Sequence, residues 1–376
     1  MKKALKFHWM LPKGGEMTSE ETARVITTSK NSFAGKPDMK NWIPFLKQAE
    51  DSGIDSVLLS FGNYEPDTLM VACALGLETS KIKFIVAYRL GLMQPTLFVQ
   101  QVNTLSNLIG GRFSLNIIAG NSQSEQHGYG DFLDHDQRYD RADEFLEVCH
   151  SFWRNDNNIT FEGKYCRLIG GKLHTPFISQ ERNIPEIFVS GHSEGAEKLT
   201  QNQGNCWLRL IDTPEKLKPI ISSIQESGKE VCLRLSIICR STKEEAIEAA
   251  EALKENPQTV KKVRHFLKSS NSKNLNDALA MADQGEWLNS YLWTGLVPSF
   301  GAAVIAMVGT PQELADAFLA YKRIGVSQFI ISGWPKLEEM IIFGRDVLPL
   351  IRKAELEEQS KINFTSSVTE QSITPK

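Results

Sequence analysis

The chain has 376 residues, of which 41% are hydrophobic and 23% are charged, which is enough apolar sequence for a sizeable core. The formal net charge is −3, the pI is near 6.2 and charges of both signs are interspersed, so the composition argues against a nucleic-acid-binding surface. No segment approaches the ~18 apolar residues of a membrane span, and Lys6 and His8 interrupt the apolar run that follows Lys2 and Lys3. We therefore expect a cytoplasmic protein without a signal peptide or membrane anchor.

The first part of the chain alternates short apolar runs with amphipathic segments. Runs rich in β-branched residues and bounded by turn residues predict strands, and apolar residues at helical spacing predict helices. The predicted strands are residues 5–11, 56–61, 82–88 and 114–119. The predicted helices are residues 39–52, 67–78, 96–108 and 137–153. The polar stretch 14–36 is predicted to be a long loop over one mouth of the fold.

The same alternation continues after an interruption. The predicted strands are residues 186–189, 206–211, 231–239 and 328–332. The predicted helices are residues 194–203, 214–227, 242–255, 311–324 and 337–351. Two insertions, at about 157–183 with a β-hairpin and at about 257–309, interrupt this rhythm, and residues 355–376 have few apolar positions, which predicts a disordered tail. The six cysteines are scattered without a CxxC pair, which predicts reduced, buried thiols and no metal site.

Eight strands that alternate with helices predict an α/β fold, the (β/α)8 or TIM barrel with insertions, as a single domain over residues 1–354. In such barrels, ligands bind at the carboxyl ends of the strands. That rule directs attention to the polar residues that directly follow each predicted strand.

Two such places carry candidate site residues. Asn116 lies near the end of the fourth strand, and His135 and Tyr139 are four residues apart where a helix begins, so they share a face beside unpaired N–H groups that favour an anion. Ser190, Gly191 and Ser193 follow the fifth strand, where the glycine permits close backbone approach at another helix start. On spacing alone, ordinary helix caps and surface polar residues explain both places better than a ligand site does.

Several sequence motifs occur together in one order. They are FHWMLP at Phe7, KFIVAYR at Lys83, SLNIIAG followed by FLDHDQRYDRADEFLEV from Ser114, FVSGHS at Phe188, YLWTGLV at Tyr291 and QFIISGWPKLEE at Gln328. Over roughly residues 5–352 the chain resembles the bacterial luciferase-like flavin-dependent monooxygenases, and specifically their alkanesulfonate monooxygenase branch.

This resemblance implies a site for FMN. Its phosphate end would be formed by His135, Tyr139, Ser190, Gly191 and Ser193. Asn116 would hydrogen-bond the ribityl chain or the ring edge, and Ala87 would lie behind the isoalloxazine at a peptide of unusual geometry. No GxGxxG motif follows a strand, so no nicotinamide-binding domain is visible.

The resemblance therefore implies that reduced FMN comes from a separate flavin reductase and that the bound flavin uses O2 to oxygenate a small-molecule substrate. We expect the second insertion to act as a lid that excludes water. We also expect a homo-oligomer, a dimer or a tetramer, because family members commonly assemble in this way.

On the substrate side, the chain departs from the sulfonate enzymes. Arg234 matches one of their arginines, but their other polar and reactive residues are replaced. The replacements in this chain are Glu65, Leu210, Ser236, Phe300, Trp334 and Lys336. Fewer cations and more aromatic rings predict a neutral or bulkier organic substrate and not a short alkanesulfonate. The candidate catalytic residues are Glu65, as an acid or base if it is buried beside Trp334, together with Arg234 and Trp334.

Two other functions remain open at the level of the sequence. An F420-dependent oxidoreductase could use the same barrel for hydride transfer without oxygen. A flavin-binding protein that has lost its catalytic residues would also fit the replaced positions.

Overall fold

A computed structural model describes residues 3–12, 36–63, 65–120, 122–154, 158–254, 257–268 and 273–371. The loop predicted at 14–36 lies, except for its last residue, outside the described residues. None of the described helices is long and apolar enough to cross a membrane.

The strands form one barrel with a small hairpin beside it. They are β1 (Lys6–Met10), β2 (Ser56–Leu59), β3 (Lys83–Tyr88), β4 (Phe113–Ile117), β5 (Ile159–Glu162), β6 (Arg167–Gly171), β7 (Glu186–Ser190), β8 (Cys206–Leu210), β9 (Glu230–Cys239), β10 (Leu292–Trp293), β11 (Ala306–Gly309) and β12 (Gln328–Gly333). Eight parallel strands close in the order β1-β2-β3-β4-β7-β8-β9-β12, with β12 pairing back onto β1. The predicted (β/α)8 barrel is confirmed.

The helices pack around this barrel. They are α1 (Met39–Asp51), α2 (Thr68–Leu77), α3 (Pro95–Leu108), α4 (Gln123–Gly128), α5 (His135–Trp153), α6 (Glu194–Gln203), α7 (Pro214–Glu226), α8 (Lys243–Glu251), α9 (Pro257–Lys268), α10 (Lys273–Gln284), α11 (Val297–Phe300), α12 (Pro311–Arg323), α13 (Lys336–Ile342) and α14 (Leu348–Gln371). A π-helical segment, Phe343–Val347, joins the last two. In α1, Trp42, Phe45, Leu46 and Ala49 share one buried face, as their spacing predicts.

The two faces of the barrel strands contribute to two different hydrophobic clusters. Alternate residues of the strands fill the barrel interior, and the others pack under the helices. The interior group is Met10, Leu58, Ile85, Ala87, Phe188, Cys206, Leu208, Cys232 and Ile330.

A buried polar network closes the amino ends of the strands. His8 and Gln328 hydrogen-bond through their side chains at 2.8 Å, and the Gln328 amide also donates to Glu230 at the start of β9. Burial lowers the pKa of His8. We call these three residues the barrel floor.

The second insertion contains two strands that the sequence did not reveal. β9 is ten residues long and extends beyond the end of β8, which pairs with it as far as Arg234. Beyond that point β11 pairs in parallel with β9, from Ala306 opposite Ser236, and β10 pairs antiparallel with β11. In the first insertion, β5 and β6 form the predicted hairpin.

The carboxyl-terminal segment also differs from its prediction. Helix α14 continues from Leu348 to Gln371, where a disordered tail was expected from Glu355. The Glu355 carboxylate is buried, accepts the backbone N–H of Leu5 at 2.7 Å and pairs with Lys322 at 2.7 Å. These contacts hold the start of the segment against the barrel.

Candidate active site

A cavity of about 630 Å³ opens at the carboxyl ends of the barrel strands. All seven residues predicted to bind a cofactor line it: Ala87, Asn116, His135, Tyr139, Ser190, Gly191 and Ser193. Arg234, predicted to act in catalysis, lines it as well. Residues that are far apart in the chain thus meet where parallel barrels place their ligands.

The turn from β7 into α6 forms one end of the cavity. Ser193 caps α6, and its Oγ accepts the backbone N–H of Ala196 at 3.3 Å. Gly191 has a φ of +147°, and a Cβ there would lie 2.6 Å from the hydroxyl oxygen of Tyr139. The missing side chain lets backbone N–H groups at a helix start face the cavity, which suits an anionic group.

Helix α5 brings Tyr139 to the same place. The helix begins at His135, two residues earlier than predicted, because Asp134 and Gln137 form a capping box at its start. The Tyr139 hydroxyl donates to the carbonyl oxygen of Ser190 at 3.3 Å. Burial raises the pKa of Tyr139, so the phenol remains a proton donor. His135 is exposed, with its ring centroid 5.1 Å from that of Tyr139.

Asn116 and Ala87 lie deeper, on neighbouring strands in register with one another. Asn116 Oδ1 accepts the Ser190 hydroxyl at 2.7 Å, so the amide N–H groups are the part of Asn116 that can serve a ligand. Ala87 belongs to the apolar barrel interior. The bond after Ala87 is an ordinary trans peptide, so the unusual geometry expected there is not found.

Arg89 forms a wall beside Ala87 that the sequence analysis missed. Its side chain is 2% exposed, and its Nη2 lies 3.2 Å from Glu125 Oε2. The guanidinium carbon lies 5.3 Å and 5.4 Å from the ring centroids of Phe61 and Tyr129. Its Nε and Nη1 have no acceptor among the described residues. An arginine directly after the last residue of a barrel strand was the signal that could have revealed it.

Arg234 places a positive charge inside the barrel. Its Nη2 contacts the Met10 sulfur at 2.8 Å, and burial lowers its pKa to about 10. Within the described part of the chain, its Nε has no acceptor and no carboxylate pairs with it. Because a buried, unpaired cation is costly, the site favours a ligand that brings negative charge or an oxygen acceptor.

The other two candidate catalytic residues are not among the described residues that line the cavity. Trp334 contacts Phe300, with ring centroids 5.5 Å apart, and it is Phe300 that faces the cavity. Glu65 is half-buried, and its backbone N–H donates to the carbonyl oxygen of Gly62 at 3.0 Å. Leu210, predicted to make the pocket more apolar, does line it.

The second insertion supplies part of the wall, through Lys273–Leu275 and Phe300–Ala302. It is fixed to the β7–α6 turn by His192, whose Nε2 accepts the backbone N–H of Leu210 at 3.0 Å. The Nδ1–H of His192 therefore donates to Asp277 of α10, at 3.0 Å. Burial lowers the pKa of His192, which keeps it in this neutral form.

Comparison with known proteins identifies relatives of this arrangement. The profile of the luciferase-like monooxygenases matches residues 5–328. A riboflavin lyase, RcaE, solved with a modified FMN and its substrate riboflavin, has 21% identity and a TM-score of 0.73, covering 94% of this chain and 92% of that one. EDTA monooxygenase, EmoA, from Chelativorans sp. BNC1 has 17% identity and a TM-score of 0.72, covering 94% and 95%.

An F420-dependent secondary alcohol dehydrogenase is also similar, with 17% identity, a TM-score of 0.63 and coverage of 93% and 99%. At such identities these structures establish the fold alone.

Proposed function

Because the chain belongs to the luciferase-like monooxygenase family, we propose that it is a two-component, flavin-dependent monooxygenase. It takes reduced FMN from a separate reductase and uses O2 to oxygenate a small organic substrate. The observation that carries this proposal is the meeting of Tyr139, Gly191 and Ser193 at the start of α6, within one cavity.

These residues fit FMN. The Tyr139 and Ser193 hydroxyls and the backbone around Gly191 form a small polar end that suits a phosphate. Ala87 and Leu208 give the inner part of the cavity an apolar surface that suits a flat ring system. Asn116 lies between the two parts, where its amide N–H groups would donate to the ribityl chain or the ring edge.

Bound reduced FMN would supply the electrons that activate O2. The protein would hold the substrate against the flavin and keep water out. Arg234 provides a fixed positive charge inside the barrel, which stabilises negative charge that develops there during oxygen transfer. The insertion residues 273–275 and 300–302 line the cavity, where they would restrict solvent access to bound ligands.

The substrate would be a neutral or bulkier organic compound and not a short alkanesulfonate. Phe61, Leu210 and Phe300 line the cavity, and Trp334 supports Phe300 from behind. These side chains favour apolar or aromatic groups. Incubation with reduced FMN, O2 and short alkanesulfonates should release little sulfite, and robust sulfite release would refute this substrate class.

The activity is tested by measuring O2 consumption with photoreduced FMN under single-turnover conditions. Decay of reduced FMN on the protein should differ from its decay in free solution, and Tyr139→Phe should reduce the difference. Binding of F420 without O2 use would favour the deazaflavin enzyme. Uncoupled peroxide in the presence of many substrates would favour a flavin-binding protein without catalytic function.

The dependence on a reductase has its own test. With NADH or NADPH, FMN and O2, the purified protein alone should oxidise no nicotinamide, because no GxGxxG motif follows any of its strands. Adding an unrelated flavin reductase should start O2 consumption. Nicotinamide oxidation by the protein alone would contradict the two-component scheme.

A further inference from the structure

Arg209 is a buried arginine that neither the sequence analysis nor the proposed chemistry uses. It lines the cavity at the end of β8, is 9% exposed, and its guanidinium lies 4.8 Å from the centroid of the Trp207 ring. Among the residues that the structure describes, its Nε has no acceptor and no carboxylate forms an ion pair with it. Burial lowers the pKa of Arg209.

The nearest acidic side chains already have other partners. Asp212, Asp277 and Glu197 lie close enough to raise the pKa of Arg209, but burial outweighs them. Asp277 accepts from His192 at 3.0 Å, Glu197 accepts from Ser223 at 2.6 Å, and Asp212 accepts the backbone N–H of Thr213 at 2.7 Å. An anionic ligand would therefore give Arg209 a partner that the protein does not provide.

The neighbours of Arg209 fix it beside the start of α6. The Gly191 backbone N–H donates to the carbonyl oxygen of Leu208 at 3.2 Å, and the Trp207 indole donates to the carbonyl oxygen of Gly191 at 2.8 Å. On the other side, the Leu210 backbone N–H donates to His192. The residues on both sides of Arg209 are thus hydrogen-bonded to the turn that forms the end of the cavity suited to an anion.

The local electrostatics also favour a multiply charged anion. The amino ends of α6 and α10 both reach the cavity, and Lys273 lies at the first residue of α10. Helix amino ends carry partial positive charge, and an arginine fork can donate two hydrogen bonds to a phosphate.

We propose that Arg209 binds the phosphate group of the flavin and sets the preference of this protein for FMN over riboflavin. The inference depends on the proposed function, because that function supplies the ligand. It adds a phosphate-binding cation, placed 4.8 Å from the centroid of the Trp207 ring, to the Tyr139 and Ser193 hydroxyls and the backbone at the start of α6.

The test removes the two partners in turn, the guanidinium by mutation and the phosphate by choice of ligand. Oxidised FMN and riboflavin are titrated into the wild-type protein, Arg209→Met and Arg209→Lys, and flavin fluorescence is followed. Methionine keeps an apolar stem against Trp207 without the charge. We expect Arg209→Met to weaken FMN binding by about 10- to 100-fold and riboflavin binding by less than about 2-fold, with lysine between them.

Arg234→Met is the matched control, since Arg234 lines the same cavity but lies inside the barrel, where its Nη2 contacts the Met10 sulfur. It should leave the ratio of FMN to riboflavin affinity unchanged. Circular dichroism and thermal melting check that each variant folds. If Arg209→Met does not fold, the FMN and riboflavin affinities of Arg209→Lys are compared with those of the wild-type protein instead.

The outcomes separate the two proposals. If wild-type protein binds neither flavin, the proposed function fails and this inference with it. If wild-type protein binds both flavins equally, or if Arg209→Met weakens both to the same extent, only the inference is overturned. An equal loss of FMN preference in Arg234→Met would show that the phosphate responds to the net charge of the cavity and would also overturn it.

Discussion

At the scale of single residues, Gly191 shows how an absent side chain shapes the cavity. A Cβ there would lie 2.6 Å from the Tyr139 hydroxyl and 2.8 Å from Cβ of Ala196. Gly191→Ala should therefore displace Tyr139 and weaken FMN binding by about 10-fold or more, since a lost hydrogen bond to a charged group is worth about 1.5–3 kcal/mol. The measurement is a fluorescence titration with FMN.

Gly228→Ala is the control for this substitution. Gly228 also has a positive φ, +76°, but a Cβ there would meet nothing within 4 Å. It should lose stability by about 1 kcal/mol from backbone strain and keep its affinity for FMN. Equal affinities in the two variants would contradict the role given to Gly191.

Glu339 predicts a pH dependence of folding stability. It has no exposed surface, and burial raises its pKa from 4.5 to about 7, against the opposing effect of Arg240. Between these pH values the folded protein holds a proton that the unfolded chain releases, so this group lowers the free energy of unfolding as the pH rises from 4.5 to 7. Glu339→Gln should remove that decline.

Urea unfolding at several pH values measures this effect. Relative to wild type, Glu339→Gln should gain stability steadily from pH 5 to 7, by at most about 1.4 kcal/mol per pH unit, and no further above that range. Glu357→Gln, at an exposed position on α14, should follow the wild-type curve. Parallel curves for wild type and Glu339→Gln would show that Glu339 is ionised throughout.

At the scale of elements, one side-chain hydrogen bond fixes the second insertion to the β7–α6 turn. Asp277→Ala removes the acceptor for His192 Nδ1 and should loosen α10 over the cavity. Hydrogen exchange followed by mass spectrometry should show faster exchange in residues 273–284. Asp316→Ala, at an exposed position on α12, should leave exchange there unchanged. Unaltered exchange in Asp277→Ala would mean that apolar packing alone holds the helix.

The elements also show what sequence patterns reveal. The eight barrel strands could be predicted because each carries a short, mainly apolar run between turn residues. β11 could not, because Ala306–Gly309 is short and rich in small residues, and its position depends on the length of β9. Helix α14 is held by a contact between Glu355 and Leu5, 350 residues apart, which no local pattern contains.

The residues that line the candidate site also differ in whether the sequence alone can reveal them. Tyr139, Gly191 and Ser193 could be placed at the cavity because the family resemblance points to them and they lie at helix starts and turns. Arg89 and Arg209 could not, because their importance depends on burial and on partners that only the folded chain determines. Trp334 was expected at the cavity and lies behind Phe300, since spacing along a loop does not fix how two rings stack.

At the scale of the whole molecule, one outer surface predicts self-association. Helix α2 has no charged residue and exposes Met70 and Leu77, and neighbouring α3 exposes Leu97 and Leu108. A helix that is apolar on all sides is usually covered, and we expect a second copy of this chain to cover it. Met70→Glu with Leu77→Glu should convert the oligomer into a monomer in analytical ultracentrifugation. Ile169→Glu, at an exposed position on the hairpin, should not.

The barrel floor has a consequence for the order of events in the proposed reaction cycle. His8, Gln328 and Glu230 close the amino end of the barrel with a hydrogen-bonded network, so flavin and substrate would share the mouth at the opposite end. A molecule bound near the rim then blocks the exit of one seated deeper. The molecule nearer the rim would have to leave first. If that molecule is the product, accumulated product would slow the release of oxidised flavin.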